Sequence, residues 1–180
     1  MGQIKLSTAS GGSVTLDATN SASNFVITVP ASTATMAVNG PCFSAYQSVA
    51  QSIPTSTATK LQFQTKEFDT ATCFDATTNY RFTPTVAGYY QITSGAFFNG
   101  ALATLSTIIA IYKNLSAAKA VNTGSGNANG WYNPTITALV YMNGSTDFIE
   151  VYLSQYSGAA QVLSANSTNT YFQAAMVRSA

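Results

Sequence analysis

No stretch of this chain repeats its apolar residues with the 3.6-residue period of a helix; where they are regular, they alternate. Phe25, Ile27 and Val29 form one such series, Leu61 and Phe63 another, and Ile149, Val151 and Leu153 a third. Side chains along a strand point to opposite faces in turn, so alternation marks strands with one face on a core. Between the runs stand Gly, Asn, Ser and Pro, which favour turns. A chain patterned this way is expected to be all-β, and 180 residues give room for one well-buried domain with an added arm.

The expected strands cover residues 43–49, 60–68, 80–83, 89–98, 107–113, 134–142, 148–153 and 171–178. About eight antiparallel strands in a head of this size predict a sandwich, for which the jelly roll is the common solution. Residues 1–40 read as a separate piece. Ile4 to Leu6 and Val14 to Leu16 flank a Ser-Gly-Gly-Ser turn, Pro30 stops the Phe25 series, and Met36 and Val38 precede the Asn39-Gly40-Pro41 break. Strands this short and few are not stable alone. The expectation is therefore a β-arm over 1–40, anchored through Phe25, Ile27 and Val29, and a jelly-roll head over 41–180.

Composition narrows the function. Charged residues make up 7% of the chain, against roughly 25% in an average soluble domain, and they leave a net charge of +1. Basic residues do not cluster, so phosphate tracking along nucleic acid is excluded. No apolar run approaches the ~18 residues of a membrane-spanning helix, so no membrane partner is expected. Histidine is absent, which removes Ser-His-Asp and Cys-His catalysis and histidine-ligated metal. Ser and Thr supply about a quarter of the chain and most of its polarity. A surface with so little charge tends to associate, so an oligomer or a part of an assembly is expected.

The opening Met1 to Leu6 lacks the apolar region of a secretory leader, and Leu6 stands where a myristoylation motif needs Ser or Thr. Cys42 and Cys73 can form one bridge or remain two thiols; without a leader, thiols are the expectation. The sequons at Asn114, Asn143 and Asn166 read as chance matches in a chain rich in Ser and Thr.

The acidic residues of the head are few and are the first candidates for chemistry. Glu67, Asp69 and Asp75 lie near one another and could form a glycosidase pair or a calcium site; the plainer expectation is structural, with Asp69 capping a turn. Asp147 and Glu150 read as a solvated turn and a solvent-facing strand position. No catalytic residue, metal or cofactor is therefore expected. Aromatic residues carry more signal. Tyr89-Tyr90 and Phe97-Phe98 are adjacent pairs whose members face opposite sides of a sheet, one on the core and the other on the surface or against a sister subunit. Trp131 and Tyr132, at the end of a long Asn- and Gly-rich loop, and Tyr156, in the 154–169 loop, are candidate glycan contacts, because each ring offers an apolar face without charge. The alternative is that Trp131 anchors its loop on the core.

One pattern runs through the head. Phe63, Asp69 and Phe74, followed by Phe82, Gly88, Tyr90 and Ile92, resembles the signature of the globular head of complement component 1q. Phe43-Ser44-Ala45-Tyr46, Tyr112-Lys113-Asn114, Asn143-Gly144 and Phe172 follow the same order. The match departs by one extra residue between Phe74 and Phe82 and by Ile92 in place of Phe. The resemblance covers about residues 42–180. It implies a jelly roll of the tumour necrosis factor superfamily and a trimer about a threefold axis, with Tyr89, Tyr90, Phe97 and Phe98 as the candidate interface. No collagen-like stalk is present; instead, the Gly11 to Leu16 and Phe25 to Pro30 stretches resemble N-terminal repeats of tailed-phage structural proteins. Together these imply a non-enzymatic phage virion protein assembled in the host cytoplasm. As a homotrimer it would decorate or cement the capsid, with the major capsid or another virion protein as partner. The alternative is the receptor-binding head of a head or tail fibre that recognises a host glycan.

Overall fold

The computed structural model describes residues 3–7, 10–11, 13–17, 40–100, 106–123 and 131–180. The chain divides into two compact units, Met1–Ala34 and Thr35–Ala180. In the first, strands Gln3–Ser7 and Ser13–Asp17 pair antiparallel, with Ile4 opposite Leu16 and Leu6 opposite Val14. Between them Gly11 takes φ +85°, a left-handed conformation that glycine adopts without a steric cost. The Phe25, Ile27 and Val29 series expected to anchor the arm lies outside the described residues.

The second unit is a β-sandwich with no helix among its described residues. One sheet has the order Thr135–Met142, Gly88–Gly95, Asn166–Ser179, Cys42–Gln47, Thr65–Asp69. The facing sheet runs Ser116–Thr123, Thr107–Lys113, Ile149–Gln155, Arg81–Phe82, Phe74–Asp75, with Thr59–Lys60 also on Ile149–Gln155. All of these pairings are antiparallel. This is the expected all-β jelly roll.

A third, small sheet is ordered Trp131–Tyr132, Phe98–Asn99, Gln161–Leu163, Gln51–Ile53. Each of its strands is the chain neighbour of one in the five-stranded sheet, in the same order, so it continues that sheet past a common break. Polar groups bridge the break. Gln47 Nε2 donates to the Leu163 carbonyl, Phe97 N to Thr170 Oγ1, and Ala96 N to the Pro134 carbonyl. Gln47 and Thr170 are wholly buried there, and their bonds satisfy backbone groups that the interrupted ladder leaves open.

The core sits between the two large sheets and is strongly aromatic. Phe43 stacks on Phe74 at 4.5 Å and on Phe82 at 5.0 Å, and meets the edge of Phe172 at 4.9 Å. Phe82 meets Tyr90 edge-on at 5.3 Å. The signature positions Phe63, Phe74, Phe82, Tyr90 and Ile92 are all buried in this cluster, so the sequence pattern is a record of core packing.

Several elements differ from the sequence expectation, among them the short strands Gln51–Ile53, Phe74–Asp75, Trp131–Tyr132 and Gln161–Leu163, which were not expected, and the strand expected over 89–98, which divides into Gly88–Gly95 and Phe98–Asn99. The strand expected over 60–68 is broken: Thr59–Lys60 belongs to one sheet and Thr65–Asp69 to the other, and the chain crosses between them with Leu61 and Phe63 fully buried. Gln51 holds the crossing, its Nε2 donating to the Lys60 carbonyl and its Oε1 accepting from Gln62 N. The strand Ser116–Thr123 was not expected. It returns from Thr107–Lys113 through a two-residue turn in which Asn114 and Leu115 both have positive φ, 52° and 67°, the conformation that joins tightly twisted hairpins.

Candidate functional site

The five-stranded sheet has one face on the core, and among the described residues of the Thr35–Ala180 unit no strand covers the other. Alternation along Gly88–Gly95 buries Tyr90, Ile92 and Ser94 and turns Tyr89 and Gln91 outward. On Thr135–Met142, Ile136, Val140 and Met142 go inward, and Thr137, Leu139 and Tyr141 outward. Register then assembles an apolar patch. Tyr141 lies opposite Tyr89, whose other neighbour is Arg178; Leu139 lies opposite Gln91, and Ala175 flanks Gln91 on the far side. The Tyr89 and Tyr141 rings meet at 5.5 Å. Leu139 is 58% exposed, Val177 57% and Phe68 51%. Two open hollows, of about 420 and 670 Å³, both lie on this face, lined in part by Phe68, Ala175 and Val177, and by Tyr89, Leu139 and Tyr141.

A polar row crosses the same face. Thr137 Oγ1 bonds to Thr93 Oγ1 at 3.2 Å; further along, Gln173 Nε2 donates to Ser44 Oγ at 3.0 Å, and Ser44 Oγ donates to Glu67 Oε2. The row is made almost entirely of uncharged groups. A contiguous apolar surface of this kind, with satisfied polar groups in it, is what a protein interface requires.

Of the four aromatic residues predicted for an interface, Tyr90 and Phe98 are fully buried within the subunit. The Tyr90 hydroxyl donates to the Val86 carbonyl at 2.8 Å, and burial pushes it up to about 12. Tyr89 is exposed on the apolar face and Phe97 is half-buried, so only the outward member of each pair can reach a neighbour. The residues that the sequence did not single out, Leu139, Tyr141, Val177 and Phe68, complete the patch. Their signal was present as outward alternation, but only register shows that they adjoin.

The glycan candidates separate in the same way. Tyr132 is buried, its hydroxyl donating to the Thr123 carbonyl. Trp131 is 63% exposed, and Tyr156 is exposed too. Both neighbour residues that meet at one point: Tyr132 and Gln155 each contact Thr107, through a hydrogen bond and a ladder pair respectively.

Four acidic residues, Asp69, Asp75, Asp147 and Glu150, have structural roles. Asp69 accepts from the backbone N–H groups of Cys73 and Phe74 and from Lys66 Nζ, as expected of a turn cap. Burial pushes its carboxyl up, but these donors outweigh it and hold the group below its ordinary range. Asp75 is held far below that range by the N–H groups of Thr78 and Thr77, with Asn79 adding to them. Asp147 and Glu150 correct the expectation of solvent exposure. Glu150 is 2% exposed and pairs with Lys60 Nζ at 3.2 Å; Asp147 is buried and pairs with Lys113 Nζ at 2.7 Å. Among the described residues no group of three or more Cys, Asp or Glu side chains could hold a metal. Cys42 and Cys73 are free thiols.

Comparison with known proteins agrees on the fold. No protein-family model matches the chain, and no curated protein sequence does. Solved structures do match. Murine APRIL superposes with a TM-score of 0.57 at 11% identity, over 77% of this chain and all of its own. Eiger TNF from S. frugiperda gives 0.56 at 8%, over 78% of this chain and 93% of its own. PRD1 vertex protein P5 gives 0.55 at 16%, over 77% of this chain and 97% of its own. The head is therefore a jelly roll of the tumour necrosis factor type.

Proposed function

We propose that this protein is a non-enzymatic structural protein of a bacteriophage virion. Three copies pack through the outward faces of their five-stranded sheets, and the trimer decorates or cements the capsid. The observation that carries the reading is the uncovered face of Tyr89, Leu139, Tyr141, Val177 and Phe68. Each exposed square ångström of apolar surface costs roughly 25 cal/mol in water, and a chain with so few charges has little else to keep copies apart. The likeness of fold to a PRD1 vertex protein supports the virion setting, as does the resemblance of the arm to phage structural repeats. The internal engagement of Asp69, Asp75, Asp147 and Glu150 supports a role without catalysis.

A second reading is favoured by one observation: Trp131 and Tyr156 stand exposed near the Thr107 end of the sandwich. There the trimer would be a receptor-binding head that grips a host glycan. Labelled electron microscopy of virions separates the two. Label over the whole capsid supports decoration, label only at the tail supports the receptor-binding head, and absence of label from virions refutes both.

A further inference from the structure

Charge on the apolar face is sparse and oddly placed. Elsewhere the ion pairs close locally: Lys60 with Glu150, Lys66 with Asp69, Lys113 with Asp147. On the face stand the carboxylate of Glu67 and the guanidinium of Arg178, and among the described residues neither has an ion-pair partner, whereas Lys113, whose Nζ lies 5.6 Å from the Tyr141 ring, is already closed by Asp147. Glu67 sits at the irregularity where Thr65–Asp69 slips against Cys42–Gln47, and its bond from Ser44 Oγ draws the carboxylate over the sheet. Arg178 lies directly across from Tyr89 and lines the hollow beside Leu139 and Tyr141.

The two cannot pair within a subunit. Their strands are two apart, and Arg178 is five residues beyond Gln173, the ladder partner of Ser44. At about 4.8 Å between strands and about 3.3 Å per residue, the separation is roughly 15–20 Å. Burial of the face against another copy would strip water from both charges, a loss tolerable only if each meets its opposite. A contact around a threefold axis is heterologous, so it brings different parts of the same face together.

Resting on the trimer reading above, we infer that Glu67 of each subunit pairs with Arg178 of the next, and that this pair sets the register of the assembly. The occupant of the face is a second copy of this chain, chosen by charge complementarity within an otherwise uncharged surface.

Sedimentation velocity over a concentration series tests this with the full-length chain, circular dichroism reporting the fold of each variant. Glu67→Arg and Arg178→Glu each bring like charges together and should raise the midpoint concentration for assembly by at least about tenfold. The double exchange should return it to within about threefold of wild type, because it restores the pair with its polarity reversed. Single exchanges that assemble as wild type does, or a double exchange no better than the worse single, overturn the pairing while leaving the trimer standing. A monomeric wild type overturns the trimer itself. Should a reversed variant fail to fold, the cycle of Glu67→Gln, Arg178→Gln and both decides: non-additive losses support the pair, and additive losses refute it.

Discussion

At Gly88 a side chain has nowhere to go. A Cβ there would stand 2.5 Å from the Arg178 carbonyl oxygen and 3.2 Å from Ser179 Cα. Glycine is thus required at this position by close packing of backbone on backbone; its φ lies outside the left-handed region, which Gly144 does occupy at +71°. Gly88→Val should lower stability by on the order of 2–4 kcal/mol, read as a fall in melting temperature; an unchanged melt would refute the packing account. Cys73 gives a second test. Burial and the neighbouring Asp69, by hydrogen bond and by charge, push its thiol up to about 12. The thiolate is the reactive form, so Cys73 should resist alkylation at pH 8 in the native protein and react on unfolding. The aspartates predict the acid limb. Asp69 and Asp147 have folded values below their unfolded ones, so their stabilisation is complete above about pH 4 and is lost as pH falls through the folded values. Denaturant melts should therefore weaken below about pH 4, and Asp147→Asn should flatten that dependence.

At the scale of elements, the aromatic cluster joins the two large sheets. Phe43 touches Phe74 and Phe82 from the facing sheet and Phe172 from its own. Phe43→Ala should cost about 3–5 kcal/mol, measured by denaturant unfolding; a loss under 1 kcal/mol would mean that the cluster is not the joint between sheets. These core strands were legible because apolar residues alternate along them. Ser116–Thr123 was not, since its residues are nearly all exposed and carry no apolar stripe; its pairing comes from Thr107–Lys113 through the Asn114-Leu115 turn. Glu150 shows the limit from another side. Alternation with Ile149 and Val151 correctly turned it away from the core, but Lys60, ninety residues earlier, and Tyr152 enclose it there. The apolar face was half legible: Tyr89 stood out beside Tyr90, whereas Tyr141 becomes its neighbour only through register, and Leu139 and Val177 join it only in lining a common hollow.

For the whole molecule, everything turns on what covers the five-stranded face. Leu139→Lys places a charge in its centre without touching the core, so it should block assembly and leave the fold intact, with near-wild-type circular dichroism. Removal of residues 1–34 tests the division of labour, because the sandwich strands all lie in Thr35–Ala180. The shortened chain should fold and lose attachment to capsids; one that still decorates particles at wild-type occupancy would contradict the anchoring role of the arm. The most direct measurement is the mass of the intact protein in dilute neutral buffer by sedimentation equilibrium at micromolar concentration. The account predicts three times the 18.8 kDa of one chain, nearly insensitive to salt because so few charges are there to be screened. A stable species of single-chain mass would contradict it.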